Sequence, residues 1–184
     1  MVISKFEPGA LQGALLGQGK LFVQFFEGLI SLMAQSPDAV QRDSAFRSLV
    51  MAMGIFDELG RFTLLRDLSA RCPFPAAKSV LVGCIKDSVD RSWGNDAATS
   101  LFAGPPVLTL VTPLLRLGSE SMSAVQLMEG FDIFASSANL YLFFLLRDSL
   151  EKNQVRSIWD EMEGNHVARN SSMLPLLHIM LIFL

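Results

Sequence analysis

Apolar residues recur along this chain at spacings of three and four, the period of an α-helix, and prolines and glycines divide them into blocks of helical length. The first predicted helix runs from about Pro8 to Ala34. The second opens at Ser36-Pro37-Asp38, which we interpret as a capping serine, a first helical proline and an acid in the first turn. This helix is predicted to end near Leu59, with Gly60 as its stop signal.

The second block predicts one apolar side and one charged side. Asp43 and Arg47 are four residues apart, so they are expected to pair on the polar side. The predicted apolar stripe consists of Val40, Phe46, Leu49, Val50, Met53 and Phe56. A shorter helix is predicted over Phe62–Ala70, and its apolar side consists of Leu64, Leu65 and Leu68.

The sequence Cys72-Pro73-Phe74-Pro75 predicts a corner, because two prolines around an aromatic residue do not fit a helix interior. Ala76–Trp93 then forms the clearest amphipathic helix in the chain. Lys86 with Asp90, and Asp87 with Arg91, are predicted ion pairs on its polar side. Its predicted apolar side consists of Val80, Leu81, Cys84, Ile85, Val89 and Trp93.

After this helix, Gly94–Gly104 is predicted to be a loop, with one turn at Ala97–Phe102. Two prolines open a further helix, Pro105–Leu117, which Pro113 is expected to kink. The valine-rich stretch Val107–Val111 is the nearest approach to a strand. The chain shows no sustained alternation and no Asn-Gly or Asp-Gly hairpin turn.

A long helix is predicted over Ser121–Lys152, followed by short helices at Gln154–Glu163 and Pro175–Leu184. The long helix is apolar on all sides between Leu140 and Leu146, so neighbouring helices are expected to enclose it there. Its main predicted stripe consists of Val125, Met128, Phe131, Phe134, Ala138, Tyr141, Leu142 and Leu145.

These blocks predict an all-α chain forming a single helical-repeat domain over residues 1–184. Helix pairs of about 40 residues with proline corners favour a HEAT- or armadillo-like solenoid. A plain helical bundle is the structural alternative. Both ends of the chain lie in apolar blocks, so we expect a piece of a longer solenoid or a truncated gene model.

Composition narrows the function classes. The chain is 51% hydrophobic and 18% charged, which argues against disorder, and a net charge of −3 argues against nucleic acid as a partner. Mean hydropathy is +0.39, so a membrane must be considered. The apolar runs Leu11–Met33, Ala138–Leu146 and Met173–Leu184 are interrupted by polar residues or too short to span, and we interpret them as buried helices. A membrane-associated helical protein remains the alternative.

No motif predicts catalysis, a metal or a cofactor. Gly13–Lys20 reads GALLGQGK, but it lacks the first glycine of a phosphate loop and the hydroxyl residue after the lysine. His166 and His178 have no neighbouring ligand cluster, and there is no GxSxG. The acids Asp57, Glu58, Asp87 and Asp90 are spaced like a solvated face paired with Arg61, Lys86 and Arg91.

The two cysteines, Cys72 and Cys84, are expected to be reduced and buried in a cytoplasmic or nuclear protein. The N-terminus Met1–Pro8 has no signal-peptide pattern. Cys84 lies on an apolar stripe, which favours an inert thiol. Cys72 precedes a helix start, where a thiol pKa falls, so a redox role for both cysteines is a further hypothesis.

Two stretches resemble a known family. Arg61–Asp87 combines a leucine-rich helix, the CPFP corner and a small-residue helix ending in Lys-Asp. Ala135–Asp148 reads ASSANLYLFFLLRD and is followed by Ile158-Trp159. In order and spacing these resemble the glomulin / aberrant root formation / YAP-binding protein family, over roughly residues 42–160, as the C-terminal part of a longer member.

The resemblance implies a HEAT-like solenoid with a protein-binding role. The glomulin and plant branches of this family bind the RING subunit of cullin-RING ubiquitin ligases and block recruitment of the ubiquitin-conjugating enzyme. Fungal members are linked to the oxidative stress response through a bZIP transcription factor, and to kinetochores. The resemblance therefore implies an adaptor or inhibitor acting on a RING subunit or a bZIP factor, with the choice left open.

Overall fold

The computed structural model describes residues 20–94, 96, 98–116, 128 and 130–147, together with Gly9 and Leu11. Within these residues every regular element is helical, which confirms the predicted all-α class. The elements are α1 (Lys20–Gln35), α2 (Ala39–Ile55), α3 (Glu58–Arg71), α4 (Pro75–Ser92), a 3₁₀ turn (Pro105–Val107), α5 (Leu108–Arg116) and α6 (Phe131–Arg147). The predicted helices at 154–163 and 175–184 lie outside the described residues.

The predicted first helix is wrong at its start. Gly9 has a φ of 79°, and Leu11 forms an isolated parallel bridge with Phe56. The Leu11 amide donates to the Ile55 carbonyl at 3.0 Å, and the Leu11 carbonyl accepts from the Asp57 amide at 2.8 Å. This segment therefore lies along the end of α2.

The start of α2 differs by two residues from the predicted capping serine. Asp38 is the N-cap, and its Oδ1 accepts from the Val40 amide at 2.8 Å. Ser36 Oγ instead accepts from the Asp38 amide at 3.2 Å, so it orders the turn before the helix. Serine and aspartate are both common N-cap residues, and Asp38 takes that position here because α2 begins at Ala39.

Gly60 was predicted as a helix stop, and that prediction is wrong. α2 ends at Ile55, and Asp57 caps α3 by accepting from the Gly60 amide at 2.7 Å. A Cβ atom on Gly60 would lie 3.0 Å from both Phe56 Cβ and Asp57 Oδ1. The glycine therefore allows the ends of α2 and α3 to approach closely.

The predicted stripe of α2 is half correct. Leu49, Met53 and Phe56 are buried as expected. Val40, Phe46 and Val50 are exposed, and Ala45, Ala52 and Ile55 complete the buried face instead.

Two of the predicted charged pairs lie along single helices. Asp43 and Arg47 form the expected ion pair, with Arg47 Nη2 at 2.6 Å from Asp43 Oδ2. Arg91 Nε instead donates to the Asp87 backbone carbonyl at 3.2 Å, which corrects the predicted carboxylate contact.

The leucines of α3 and the proline corner follow the prediction. Leu64, Leu65 and Leu68 are buried. Cys72 caps the end of α3, Phe74 precedes α4, and Pro75 is its first residue, where a missing amide costs nothing. The apolar side of α4 is buried at Leu81, Cys84, Ile85 and Val89, and partly buried at Val80 and Trp93.

The predicted long helix over Ser121–Lys152 is wrong as one continuous helix, because Gly130 lies in a turn before α6. The expected enclosure is also wrong at Leu146, which is 77% exposed. Met128 and Phe131 of its predicted stripe are exposed as well. The buried side of α6 consists of Ile133, Ser137, Ala138, Leu140, Tyr141 and Phe144. Val107–Val111 is helical rather than extended.

One hydrophobic cluster extends from Phe26 of α1 to Phe144 of α6. α1 packs against α2, and α6 packs against both α4 and α5. In the described part of the chain, no helix has both the length and the apolar character needed to cross a membrane. The solenoid arrangement itself stays a prediction.

Candidate protein-binding surface

A groove of about 240 Å³ separates α1 from the corner between α3 and α4. Its buried part is formed by Ile30, Leu68 and Cys72, while Glu27 is half-buried and Arg71 is exposed. Pockets for whole small molecules hold roughly 300–1,000 Å³. The groove is therefore of a size for one or two side chains rather than a complete ligand.

Helix geometry places the groove residues. Glu27 and Ile30 are three apart on α1, and Leu68 and Arg71 are three apart at the end of α3, so each pair occupies one side of its helix. The prolines after Arg71 end α3, and the chain turns so that Phe74 reaches the same groove. A charged group thus lies beside an apolar one on both walls.

The two charges of the groove have opposite sign and lie on different helices. Within the described residues, neither Glu27 on α1 nor Arg71 on α3 forms an ion pair. Arg71 also lies in the last turn of α3, where the helix dipole favours a cation. The groove accordingly has a negative wall and a positive wall above an apolar floor.

Large apolar side chains are exposed on the first two helices. Phe22, Phe25 and Leu32 are exposed on one face of α1, and Leu29 on the same face is partly buried against the core. Phe25 is 44% exposed, and Phe46 on α2 is 42% exposed. Clustered exposed apolar residues are typical of surfaces that bind other proteins.

Glu58 was predicted to lie on a solvated face paired with arginine, and the structure corrects this. One carboxylate oxygen, Oε1, accepts from Ser100 Oγ at 2.7 Å, from the Leu101 amide at 2.6 Å and from the Phe102 amide at 3.3 Å. Glu58 therefore ties the start of α3 to the loop before α5. Its role is structural.

Arg61 has backbone and electrostatic contacts rather than a simple surface pairing. Its Nη1 donates to the Phe56 carbonyl at 3.1 Å. Burial, and then the charge of Arg91, lower the pKa of Arg61 from its ordinary value, while Glu58 and Asp57 oppose that change. The predicted solvated face is thus partly buried at this point.

Both cysteines are free thiols in the hydrophobic core, as expected. Cys72 is 6% exposed, and its Sγ lies 3.5 Å from the Phe74 carbonyl oxygen as a weak donor. Burial, followed by the charge of Asp87, raises the pKa of Cys84 to about 11. A raised pKa keeps the thiol protonated and unreactive. The redox hypothesis for the pair stays a prediction.

Other candidate chemistry falls partly beyond the described residues. His166, His178 and the residues of the GALLGQGK stretch before Lys20 lie outside them. Among the residues that are described, no three His, Cys, Asp or Glu side chains converge as metal ligands would.

The sequence interpretation did not single out Glu27 or Arg71 as functional residues. Glu27 lies within the apolar run Leu11–Met33, and Arg71 directly precedes the CPFP corner. No local pattern connects them, because the groove forms only when α1 packs beside the end of α3.

Comparison with known proteins agrees with the resemblance in the sequence. The model of a family described as "Uncharacterised protein family, YAP/Alf4/glomulin" matches residues 15–166. Human glomulin is 27% identical over 159 residues, which cover 85% of this chain and 25% of glomulin. The chain therefore spans about a quarter of the length of that relative. A family match over most of the chain places it: the chain belongs to the YAP/Alf4/glomulin family.

Proposed function

We propose that this chain is a non-catalytic protein-binding scaffold. It acts as an adaptor or inhibitor on the RING subunit of a cullin-RING ubiquitin ligase, or on a stress-response bZIP transcription factor. The observation that carries the proposal is the family match over residues 15–166. The chain covers only 25% of human glomulin, so neither partner is carried over from that relative, and both are proposed here for this chain.

The surface of α1 and α2 supports a binding role. Phe25, Leu32 and Phe46 are each more than 40% exposed, although the chain has a hydrophobic core in which other large apolar side chains are buried. Stable protein interfaces bury roughly 800 Å² on each partner, with aromatic residues enriched at their centres. Exposed phenylalanines on adjacent helices supply side chains of that kind.

The direct test measures binding of the purified chain to a purified RING subunit and, separately, to a purified bZIP factor by titration calorimetry. We expect one of them to bind with a Kd on the order of micromolar or tighter, as a specific interface of standard size does. If the RING subunit is the partner, the chain also slows ubiquitin discharge from the conjugating enzyme. Failure of both proteins to bind would refute the proposed partners.

A pair of matched variants locates the contact. Phe46→Asp removes an exposed apolar group from α2 and is expected to weaken binding at least tenfold. Leu59→Asp makes the same change on α3, where Leu59 is 54% exposed, and should leave binding unchanged. Equal effects of the two substitutions would argue against the α1–α2 surface.

A further inference from the structure

We propose that the groove between α1 and the α3–α4 corner receives one apolar side chain of a protein partner. A basic partner residue on one side of this anchor pairs with Glu27, and an acidic residue on the other side pairs with Arg71. This inference rests on the proposed protein-binding function and specifies what kind of peptide sequence the chain recognises.

The volume and floor of the groove select the anchor. About 240 Å³ is too little for a drug-sized molecule but sufficient for a leucine, methionine or phenylalanine side chain. The floor is formed by the buried residues Ile30 and Leu68, with the ring of Phe74 beside them. A well-packed pocket of this type holds the single side chain that dominates many protein interfaces.

The charges of the groove select the neighbours of the anchor. Glu27 and Arg71 lie on opposite walls and form no ion pair with each other. Each can therefore accept a partner group of the opposite sign, and an arginine binds a carboxylate with two parallel hydrogen bonds. Because the walls differ in sign, the peptide needs a basic residue on one side of the anchor and an acidic residue on the other. The direction in which the peptide crosses the groove sets which of the two comes first.

Other occupants fit less well. A free anion would meet the Glu27 carboxylate, and a metal ion needs three or four converging ligands, which the described residues do not provide. The chain itself contains Arg156–Asp160, which reads Arg-Ser-Ile-Trp-Asp and also has a basic and an acidic residue on either side of apolar ones. The experiment must therefore distinguish binding of a partner peptide from occupation of the groove by this segment of the chain itself.

The test is a selection of random dodecapeptides displayed on phage against the purified chain. Enriched peptides are expected to carry a basic and an acidic residue on opposite sides of the apolar anchor, all in one order. A synthetic peptide of that order should bind in fluorescence anisotropy. Glu27→Arg and Arg71→Glu should each weaken this peptide at least tenfold. The double variant Glu27→Arg/Arg71→Glu should prefer the peptide in which the basic and acidic residues are exchanged.

A charge exchange elsewhere is the matched control. Asp43→Arg/Arg47→Asp reverses an exposed ion pair on α2 and should leave the peptide preference unchanged. All variants alter exposed or half-exposed groups, and their circular dichroism and urea midpoints should match the parent chain.

Two results would overturn the proposal. One is a selection without the charge order, or with an order that the Glu27/Arg71 exchange does not reverse. The other is peptide binding that appears only after Ile158→Ala/Trp159→Ala, which would assign the groove to the chain's own segment. If the RING subunit or bZIP factor binds the exchanged variant as well as the parent, the groove proposal fails while the proposed function stands.

Discussion

Two helical glycines, Gly60 and Gly83, differ in what a methyl group would meet. At Gly60 an added Cβ would lie 3.0 Å from Phe56 Cβ, an atom fixed to the backbone. At Gly83, on the exposed side of α4, it would have no neighbour within 4 Å. Glycine at position 60 therefore allows the ends of α2 and α3 to approach closely, while glycine at position 83 only lowers the helix propensity of α4.

We predict opposite effects of the same substitution at these sites. Gly83→Ala should raise the free energy of unfolding by about 0.5–1 kcal/mol, because alanine loses less backbone entropy on folding. Gly60→Ala should lower it by about 1 kcal/mol, because overcrowding outweighs the propensity gain. Urea unfolding of the two variants measures both changes. Stabilisation by Gly60→Ala would show that the α2–α3 contact relaxes freely.

The buried thiol of Cys84 predicts that the free energy of unfolding depends on pH in the alkaline range. Its pKa is about 11 in the fold, above its ordinary value of 9.0. Below pH 9 the thiol is protonated in both the folded and the unfolded chain. Between pH 9 and 11 only the unfolded chain ionises, so stability falls as pH rises, by at most about 2.7 kcal/mol, and the loss levels off above pH 11.

The measurement compares the pH dependence of urea unfolding for the parent chain and Cys84→Ala. The variant should lack the additional slope between pH 9 and 11, whatever other groups titrate there. Parallel curves for the two proteins would mean that the thiol is not desolvated in the fold.

Glu58 carries a larger share of stability than an exposed acid does. Glu58→Ala should cost about 2–3 kcal/mol, because it removes a charged acceptor and leaves the Leu101 and Phe102 amides without it. Glu58→Gln keeps an oxygen in place and should cost less, about 1 kcal/mol. Asp43→Asn, which breaks an exposed helix pair, should cost under about 0.5 kcal/mol. Urea unfolding ranks the three, and equal costs would contradict the assignment.

At the scale of helices, the contact between α4 and α6 contains three charged side chains, Lys86, Asp90 and Arg147. Arg147 pairs with Asp90, and its guanidinium carbon lies 5.5 Å from the Trp93 ring centroid and 5.3 Å from that of Phe143. Lys86 Nζ lies 5.2 Å from the centroid of the same Phe143 ring. The predicted pair of Lys86 with Asp90 therefore does not form. Asp90 instead pairs with Arg147 of α6, and Lys86 lies over the Phe143 ring of α6.

A double-mutant cycle separates the ion pair from the ring contacts of Arg147. Arg147→Ala should cost about 1–2 kcal/mol, since it removes two cation–π contacts as well as an exposed ion pair. In an Asp90→Asn background most of this cost should persist, with a coupling below about 1 kcal/mol. A coupling equal to the whole cost would assign the contact to the ion pair alone.

The helices themselves were predictable because their causes are local. Apolar spacing predicted α3 and α4. The corner between them follows from Pro73, which cannot continue α3, and from Pro75, which is tolerated as the first residue of α4. Boundaries were less predictable where two residues compete for one role, as Ser36 and Asp38 do at the start of α2. The exposed Phe46 was misassigned because hydrophobicity alone does not show which face the neighbouring helix covers.

Local sequence patterns could not predict the candidate site. Glu27 and Arg71 belong to different helices, and only tertiary contacts place them at one groove. The family resemblance, in contrast, was predictable from the CPFP corner and the ASSANLYLFFLLRD stretch, because these motifs are contiguous in sequence.

At the scale of the whole molecule, the continuous core from α1 to α6 predicts cooperative unfolding. Trp93 lies at the end of α4 against this core, and the chain has two tryptophans. In a Trp159→Phe variant, fluorescence of Trp93 and far-ultraviolet circular dichroism should therefore report one urea midpoint. Two separate midpoints would show that α1–α3 and α4–α6 unfold independently.

The Glu58 contact also has a consequence for biosynthesis. Leu101 follows Glu58 by 43 residues in the chain, and a ribosome adds about 5–20 residues each second, so the carboxylate emerges about 2–9 s before its partners. During that interval the nascent first three helices lack the contact that ties the start of α3 to the loop before α5. A chaperone or a translational pause in this window would therefore act on an intermediate whose acidic side chain is still hydrated.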